Sequence, residues 1–114
     1  GKLFNDCLQL DEQDVIIEDD VRIGAFVTIL PGVKIRRGAI IGAGTVLRFS
    51  IPPYAVVTGN PAKIVGFRMN PQEALEHEAA LYPEEKRLSA DELFDNYEKY
   101  YFNRMSEIIE YLKV

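Results

Sequence analysis

Ile17-Glu18-Asp19-Asp20-Val21-Arg22, Ile23-Gly24-Ala25-Phe26-Val27-Thr28, Ile29-Leu30-Pro31-Gly32-Val33-Lys34, Ile35-Arg36-Arg37-Gly38-Ala39-Ile40 and Ile41-Gly42-Ala43-Gly44-Thr45-Val46 are five consecutive six-residue units opening on isoleucine, and Leu47 opens a sixth. Four residues after each opening position stand Val21, Val27, Val33, Ala39, Thr45 and Ile51, a second register of small or β-branched side chains. An α-helix would repeat its apolar positions near 3.6 residues and a half-buried strand every two, so neither produces a strict six with a second register offset by four. Short strands separated by turns and wound around one axis do produce it. Each hexad is then one side of a triangular prism, three hexads close a coil, and the segment reads as a parallel β-helix of hexapeptide repeats.

On this reading Ile17 to Lys34 forms one coil and Ile35 to Pro52 the next, with Gly24, Gly32, Gly38, Gly42 and Gly44 at the corners, where the chain turns sharply. Successive coils pair like parallel strands about 4.8 Å apart, so aliphatic must stack on aliphatic. A charge at a repeat position would be buried without a partner, and none occurs there. Pro52 and Pro53 remove two ladder donors and are expected to stop the stack, with Ala55-Val56-Val57 as one last strand before a turn at Gly59-Asn60-Pro61.

The flanks differ in character. Residues 1–14 place Asn5 and Asp11 at the repeat positions and are read as a lead-in or degraded coil, in which Leu8, Leu10 and Val15 have a neighbouring surface to pack on. The β-helix is assigned to 15–66 and a helical extension to 67–114. Asn70-Pro71-Gln72-Glu73 is an N-cap, a first-turn proline and a capping glutamate, and Pro83 ends that helix at Tyr82. Ser89-Ala90-Asp91-Glu92 opens a second helix to about Lys113, with Leu93, Tyr97, Tyr100, Tyr101, Met105, Ile108 and Leu112 as its apolar stripe. That stripe is read as a packing face, and the tail as the cover for the open edge of the last coil.

Composition narrows the function classes. A formal charge of −5 argues against general nucleic-acid binding. No apolar run reaches the length of a membrane span, Gly1 to Asp6 has no signal-peptide core, and the single cysteine, Cys7, fits a reducing compartment, so a cytoplasmic location is expected. A start on glycine rather than methionine suggests a processed or cut chain. The acidic runs Asp11 to Asp14 and Glu18 to Asp20 have no histidine or cysteine at ligand spacing and are read as solvated, so no metal site is assigned. The one histidine, His77, lies between Glu76 and Glu78 and is read as a solvent-facing helix residue.

Ile23-Gly24, Ile29 to Ile35, Ile41 to Val46, Pro52-Pro53-Tyr54 and Gly59-Asn60-Pro61-Ala62-Lys63 resemble, in this order, the C-terminal half of the hexapeptide-repeat O-acetyltransferases. These include maltose, galactoside, serine and nodulation-factor acetyltransferases and capsule or lipopolysaccharide O-acetyltransferases. The match covers about residues 15–68, and the tail resembles members placed in polysaccharide biosynthesis. The resemblance implies a left-handed β-helix, a homotrimer, acetyl-CoA as co-substrate in the groove between subunits, and transfer of acetyl to a hydroxyl of a small-molecule or saccharide acceptor. It places Gly24, Ala25, Gly42 and Ala43 along the pantetheine arm, with Lys63, then Arg68 and Arg48, as cations for the cofactor's phosphates. The family's base histidine lies on an earlier coil, and here no coil carries one, so no catalytic residue is assigned. Arg48-Phe49-Ser50 stands where relatives usually have Thr-Lys-Asp, and Arg22 where many have Trp. The competing reading is a non-catalytic trimeric module for binding or assembly.

Overall fold

The computed structural model describes residues 13–100. Most of the lead-in, with Cys7, Leu8 and Leu10, and the helix positions Tyr101, Met105, Ile108, Leu112 and Lys113 lie outside the described residues. Six two-residue strands follow one another: β1 (Ile16–Ile17), β2 (Arg22–Ile23), β3 (Thr28–Ile29), β4 (Lys34–Ile35), β5 (Ile40–Ile41) and β6 (Val46–Leu47). β1 pairs in parallel with β4, β2 with β5 and β3 with β6, and each pairing joins residues eighteen apart, as Ile17 to Ile35, Ile23 to Ile41 and Ile29 to Leu47. This three-sided winding is the parallel β-helix anticipated from the hexads, in the left-handed form that the family resemblance implies.

The corners obey a second rule that follows from the first. Three residues into each hexad the backbone enters the left-handed region: Asp20, Phe26, Gly32, Gly38 and Gly44 all have positive φ, six residues apart. Glycine and aspartate take this conformation at low cost. Phe26, with φ of 58° and a side chain 93% exposed, does not, and it gains nothing from burial in return. Phe26→Gly is therefore expected to stabilise the chain by about 1 kcal/mol, read as a higher unfolding midpoint. A lower midpoint would mean that the ring packs on something in solution.

Burial is graded along the axis. From the end of the first coil through the second, Val33, Ile35, Ala39, Ile41, Thr45 and Leu47 are all buried, and the Thr45 hydroxyl donates to the Gly42 carbonyl at 2.6 Å, which satisfies the one polar group among them. In the first coil Ile17 and Ile23 remain 49% and 41% exposed. The repeat positions were expected to be uniformly interior. They are not, because no other coil among the described residues lies over the first one.

Beyond Leu47 the expected register changes. Ile35 bridges Ile51, and β7 (Ala55–Thr58) pairs in parallel with β5 as Ile40 to Val56 and Ile41 to Val57, a spacing of sixteen. The coil loses two residues at Arg48-Phe49-Ser50, so Ile51 takes an opening position rather than the second-register place assigned to it, and the second coil ends at Ser50 rather than Pro52. From Ile51 the six-residue rule resumes. Tyr54 is the left-handed residue three after the opening, with φ of 63°, Ala55 is buried at the second register, and Val57 is the next opening residue. Pro52 and Pro53 thus occupy a corner, where no ladder bond is required of them, and the sheet continues past them.

The chain then reverses through Gly59-Asn60-Pro61, with a cis Asn60–Pro61 bond, into β8 (Lys63–Phe67), which runs antiparallel to β7. It is this strand, not the helical tail, that pairs with the edge of the last coil. The tail packs outside the first corner of the prism (residues 18–21, 36–39 and 52–54). Helix α1 (Pro71–Leu81) starts at Asn70, whose side chain accepts the Glu73 amide at 2.8 Å, and a single 3-10 turn (Glu84–Lys86) leads to helix α2 at 90–100, where Ser89 caps the Glu92 amide at 3.1 Å. Tyr54, Ala74, Leu88 and Leu93 form a second apolar cluster there, flanked by Met69 and Leu75.

Candidate functional site

Two glycines and two alanines of adjacent coils meet at the second corner of the prism (residues 24–27 and 42–45). The Gly24 amide donates to the Ile41 carbonyl at 2.8 Å and the Gly44 amide to the Ala25 carbonyl at 2.9 Å, which stacks Gly24-Ala25 directly over Gly42-Ala43. A Cβ on Gly24 would lie 2.6 Å from the Ala43 amide nitrogen, and one on Gly42 would lie 2.8 Å from the Thr58 Cγ2. Close approach of the Ala43 backbone, rather than a special φ, therefore demands glycine at 24, whereas at 42 an added Cβ would require the Thr58 side chain to shift. The result is a wall of small side chains carrying peptide groups near its surface, with the exposed Phe26 ring next to Ala25 in the chain.

β8 brings a cation to this wall. Because it runs antiparallel to β7, Lys63 pairs with Thr58, and Thr58 lies against Gly42. The same reversal carries Arg68 to the far end of the strand, where its Nη1 donates to Asp20 at 2.6 Å beside the first corner. That bond is the main cause holding the Asp20 carboxyl below its ordinary value, against a smaller opposing effect of burial. Arg48 follows β6 and stands at the third corner. The seven residues picked from sequence thus divide: Gly24, Ala25, Gly42, Ala43 and Lys63 come together, while Arg48 and Arg68 lie at two other corners of the same chain.

A polar cluster at the first corner escaped the sequence reading. Glu78, 0% exposed, accepts the Tyr54 hydroxyl at 2.5 Å on one oxygen and, on the other, Arg37 Nη1 at 3.0 Å and the Leu88 amide at 2.7 Å. Arg37 also donates to the Lys86 carbonyl at 3.0 Å and stacks over the Tyr82 ring at 4.3 Å. His77 is not solvent-facing as expected: it is half-buried, edge-on to the Tyr54 ring at 5.5 Å, with Nδ1 3.0 Å from the Tyr54 hydroxyl. With the phenol proton given to Glu78, that contact requires Nδ1–H to donate to the phenol oxygen. Burial, helped by the bond to Glu78, pushes the Tyr54 hydroxyl well above its ordinary value of 10.0. Nearby, Arg36 joins Glu18 on the prism to Glu92 of α2, both at 3.0 Å. The only advance signal was the helical spacing that put Glu78 on the face of Ala74. Its partners are 10 to 41 residues away in sequence.

Residues 14–48 match the family model "Bacterial transferase hexapeptide (six repeats)". A putative acetyltransferase, YvoF, of Bacillus subtilis is 48% identical over 65 residues, which cover 57% of this chain and 38% of the relative. A probable macrolide acetyltransferase of Lysinibacillus sphaericus is 42% identical over 85 residues, or 75% of this chain and 46% of the relative. The coils carry the hexapeptide repeat of the bacterial transferases, and the chain is similar in sequence to acetyltransferases. It spans less than half the length of either relative. Among solved hexapeptide-repeat structures, an acetyltransferase of Vibrio cholerae O1 biovar El Tor, crystallised with acetyl-CoA, superposes with a TM-score of 0.50 at 36% identity over 51% of this chain and 32% of that one. Among the described residues of this hexapeptide-repeat chain, no three His, Cys, Asp or Glu side chains gather as a metal site, and no helix is long and apolar enough to cross a membrane.

Proposed function

We propose that this chain supplies the cofactor-binding part of an O-acetyltransferase that moves acetyl from acetyl-CoA to a hydroxyl of a saccharide or related small molecule. The observation that carries the reading is the second corner, where Gly24-Ala25 stacks on Gly42-Ala43 and β8 brings Lys63 alongside. A pantetheine arm is thin and carries two amides, so a wall without side-chain bulk and with accessible peptide groups suits it. Lys63 then meets the phosphates as a point charge. In the reaction the acceptor hydroxyl loses its proton to a base as its oxygen attacks the thioester carbonyl. Collapse of the tetrahedral intermediate releases the coenzyme A thiolate, and a backbone amide is the natural donor to the transient oxyanion. His77 is tied to Tyr54 at a different corner and is not assigned as that base.

The molecule works as a homotrimer on this reading, with the groove between two subunits. A neighbouring subunit is what would bring Arg48 or Arg68 toward the wall, since within one chain neither reaches it. Calorimetric titration with acetyl-CoA tests the proposal. Binding is expected, with Lys63→Ala weakening it about tenfold and added salt reducing the difference between the two proteins. No heat at millimolar ligand, or a Lys63→Ala variant indistinguishable from the parent, would contradict it.

A further inference from the structure

A cavity of about 380 Å³ opens between β8 and the first part of the tail, away from the wall just described, lined by Ile64 to Asn70, Glu73, Tyr97 and Tyr100. Its size falls in the lower part of the range of small-molecule sites, about 300–1,000 Å³. Phe67 packs against both tyrosines, its ring centroid 5.6 Å from that of Tyr97 and 6.3 Å from that of Tyr100, with interplanar angles of 49° and 47°. Rings this close touch one another. Tyr100 also carries a cation, Lys99 Nζ lying 5.2 Å from its ring centroid, which leaves Phe67 as the hub of the aromatic surface.

The polar groups at the cavity define the ligand further. The Glu73 carboxylate makes no hydrogen bond or ion pair to any described residue, because the helix cap uses only its backbone amide, and Asn70 spends its oxygen on that cap, which leaves its amide N–H₂ as a donor. Arg68, the one cation on the wall of the cavity, is engaged by Asp20. A ligand that suits this set offers an apolar face to the rings and O–H donors to a carboxylate beside an amide donor, and it carries no net negative charge. Gly66 borders the same space, and a Cβ built on it meets nothing within 4 Å.

We infer that this cavity is a binding site for a neutral sugar ring, its C–H face laid on Phe67 and Tyr100 and its hydroxyls held by Glu73 and Asn70. The inference concerns a different place from the cofactor corner and does not depend on acetyl transfer. It is tested on the full chain without acetyl-CoA, by aromatic ¹H–¹³C NMR of Phe67, Tyr97 and Tyr100 during titration with the methyl glycosides of glucose, galactose and N-acetylglucosamine, and separately with choline. At least one glycoside is expected to shift the three rings at millimolar concentration. Gly66→Leu, which fills free space without touching the backbone fold, and the exposed substitution Glu73→Gln should each weaken that binding about fivefold or more. The inference is overturned if no glycoside shifts these rings, if both variants bind as well as the parent, or if choline alone shifts them.

Discussion

Ile41→Asp unfolds this chain. Ile41 is 1% exposed and is held between Ile23 above and Val57 below in parallel register. The substitution removes about 2–3 kcal/mol of apolar burial and places a carboxylate where no donor of the surrounding coils is free to meet it, at a further cost of several kcal/mol. Against the roughly 5–15 kcal/mol that stabilises an ordinary domain, this is most or all of the margin. The control is built into the same sheet. Ile23→Asp changes the same repeat position one coil earlier, where the side chain is 41% exposed, and should cost far less. Circular dichroism melts of the two variants side by side check the claim, and equal melts would place the repeat out of register.

The second large effect belongs to Glu78. Glu78→Ala takes the carboxylate partner from Arg37, the Tyr54 hydroxyl and the Leu88 amide at one stroke, and breaking a buried, hydrogen-bonded charge pair from one side costs about 3–5 kcal/mol. The expected result is not loss of the coils but release of the tail, seen as rapid amide exchange across α1 with β1 to β6 still protected. Alkali gives a related signature. The Tyr54 hydroxyl titrates higher in the folded chain than in the unfolded one, so its contribution to stability is whole below pH 10.0 and declines as pH rises above that value. Tyr54→Phe should remove this alkaline component while losing stability at neutral pH. A parent protein whose tail protection is flat through this range would show that Tyr54 does not couple the tail to the prism.

What was legible in advance was whatever repeats. The opening isoleucines declare the period because an interior built from stacked coils admits only one kind of side chain at each angular position. Both helix starts were equally plain, because a cap is local chemistry between residues three apart. The two-residue shortening at Arg48-Phe49-Ser50 left no such mark: Ile51 is aliphatic and suits either register, so only the pairing of Ile35 with Ile51 decides between them. β8 was missed because Lys63 to Phe67 has no repeat of its own and becomes a strand only through the free edge of β7. The same applies to the cations. Lys63 and Arg68 are five residues apart and were both assigned to the cofactor's phosphates, Lys63 first, yet an antiparallel strand sends them to opposite ends of a sheet. His77 was read from its neighbours Glu76 and Glu78, whereas its surroundings are set by Tyr54, 23 residues earlier.

Amide chemical-shift mapping with acetyl-CoA on the ¹⁵N-labelled chain tests the central claim most directly. The account predicts shifts concentrated at Gly24, Ala25, Gly42, Ala43, Thr58 and Lys63, six positions spread over forty residues of sequence and joined only by the winding of the coils. Shifts confined to α1 and α2, or scattered without regard to the second corner, would contradict it.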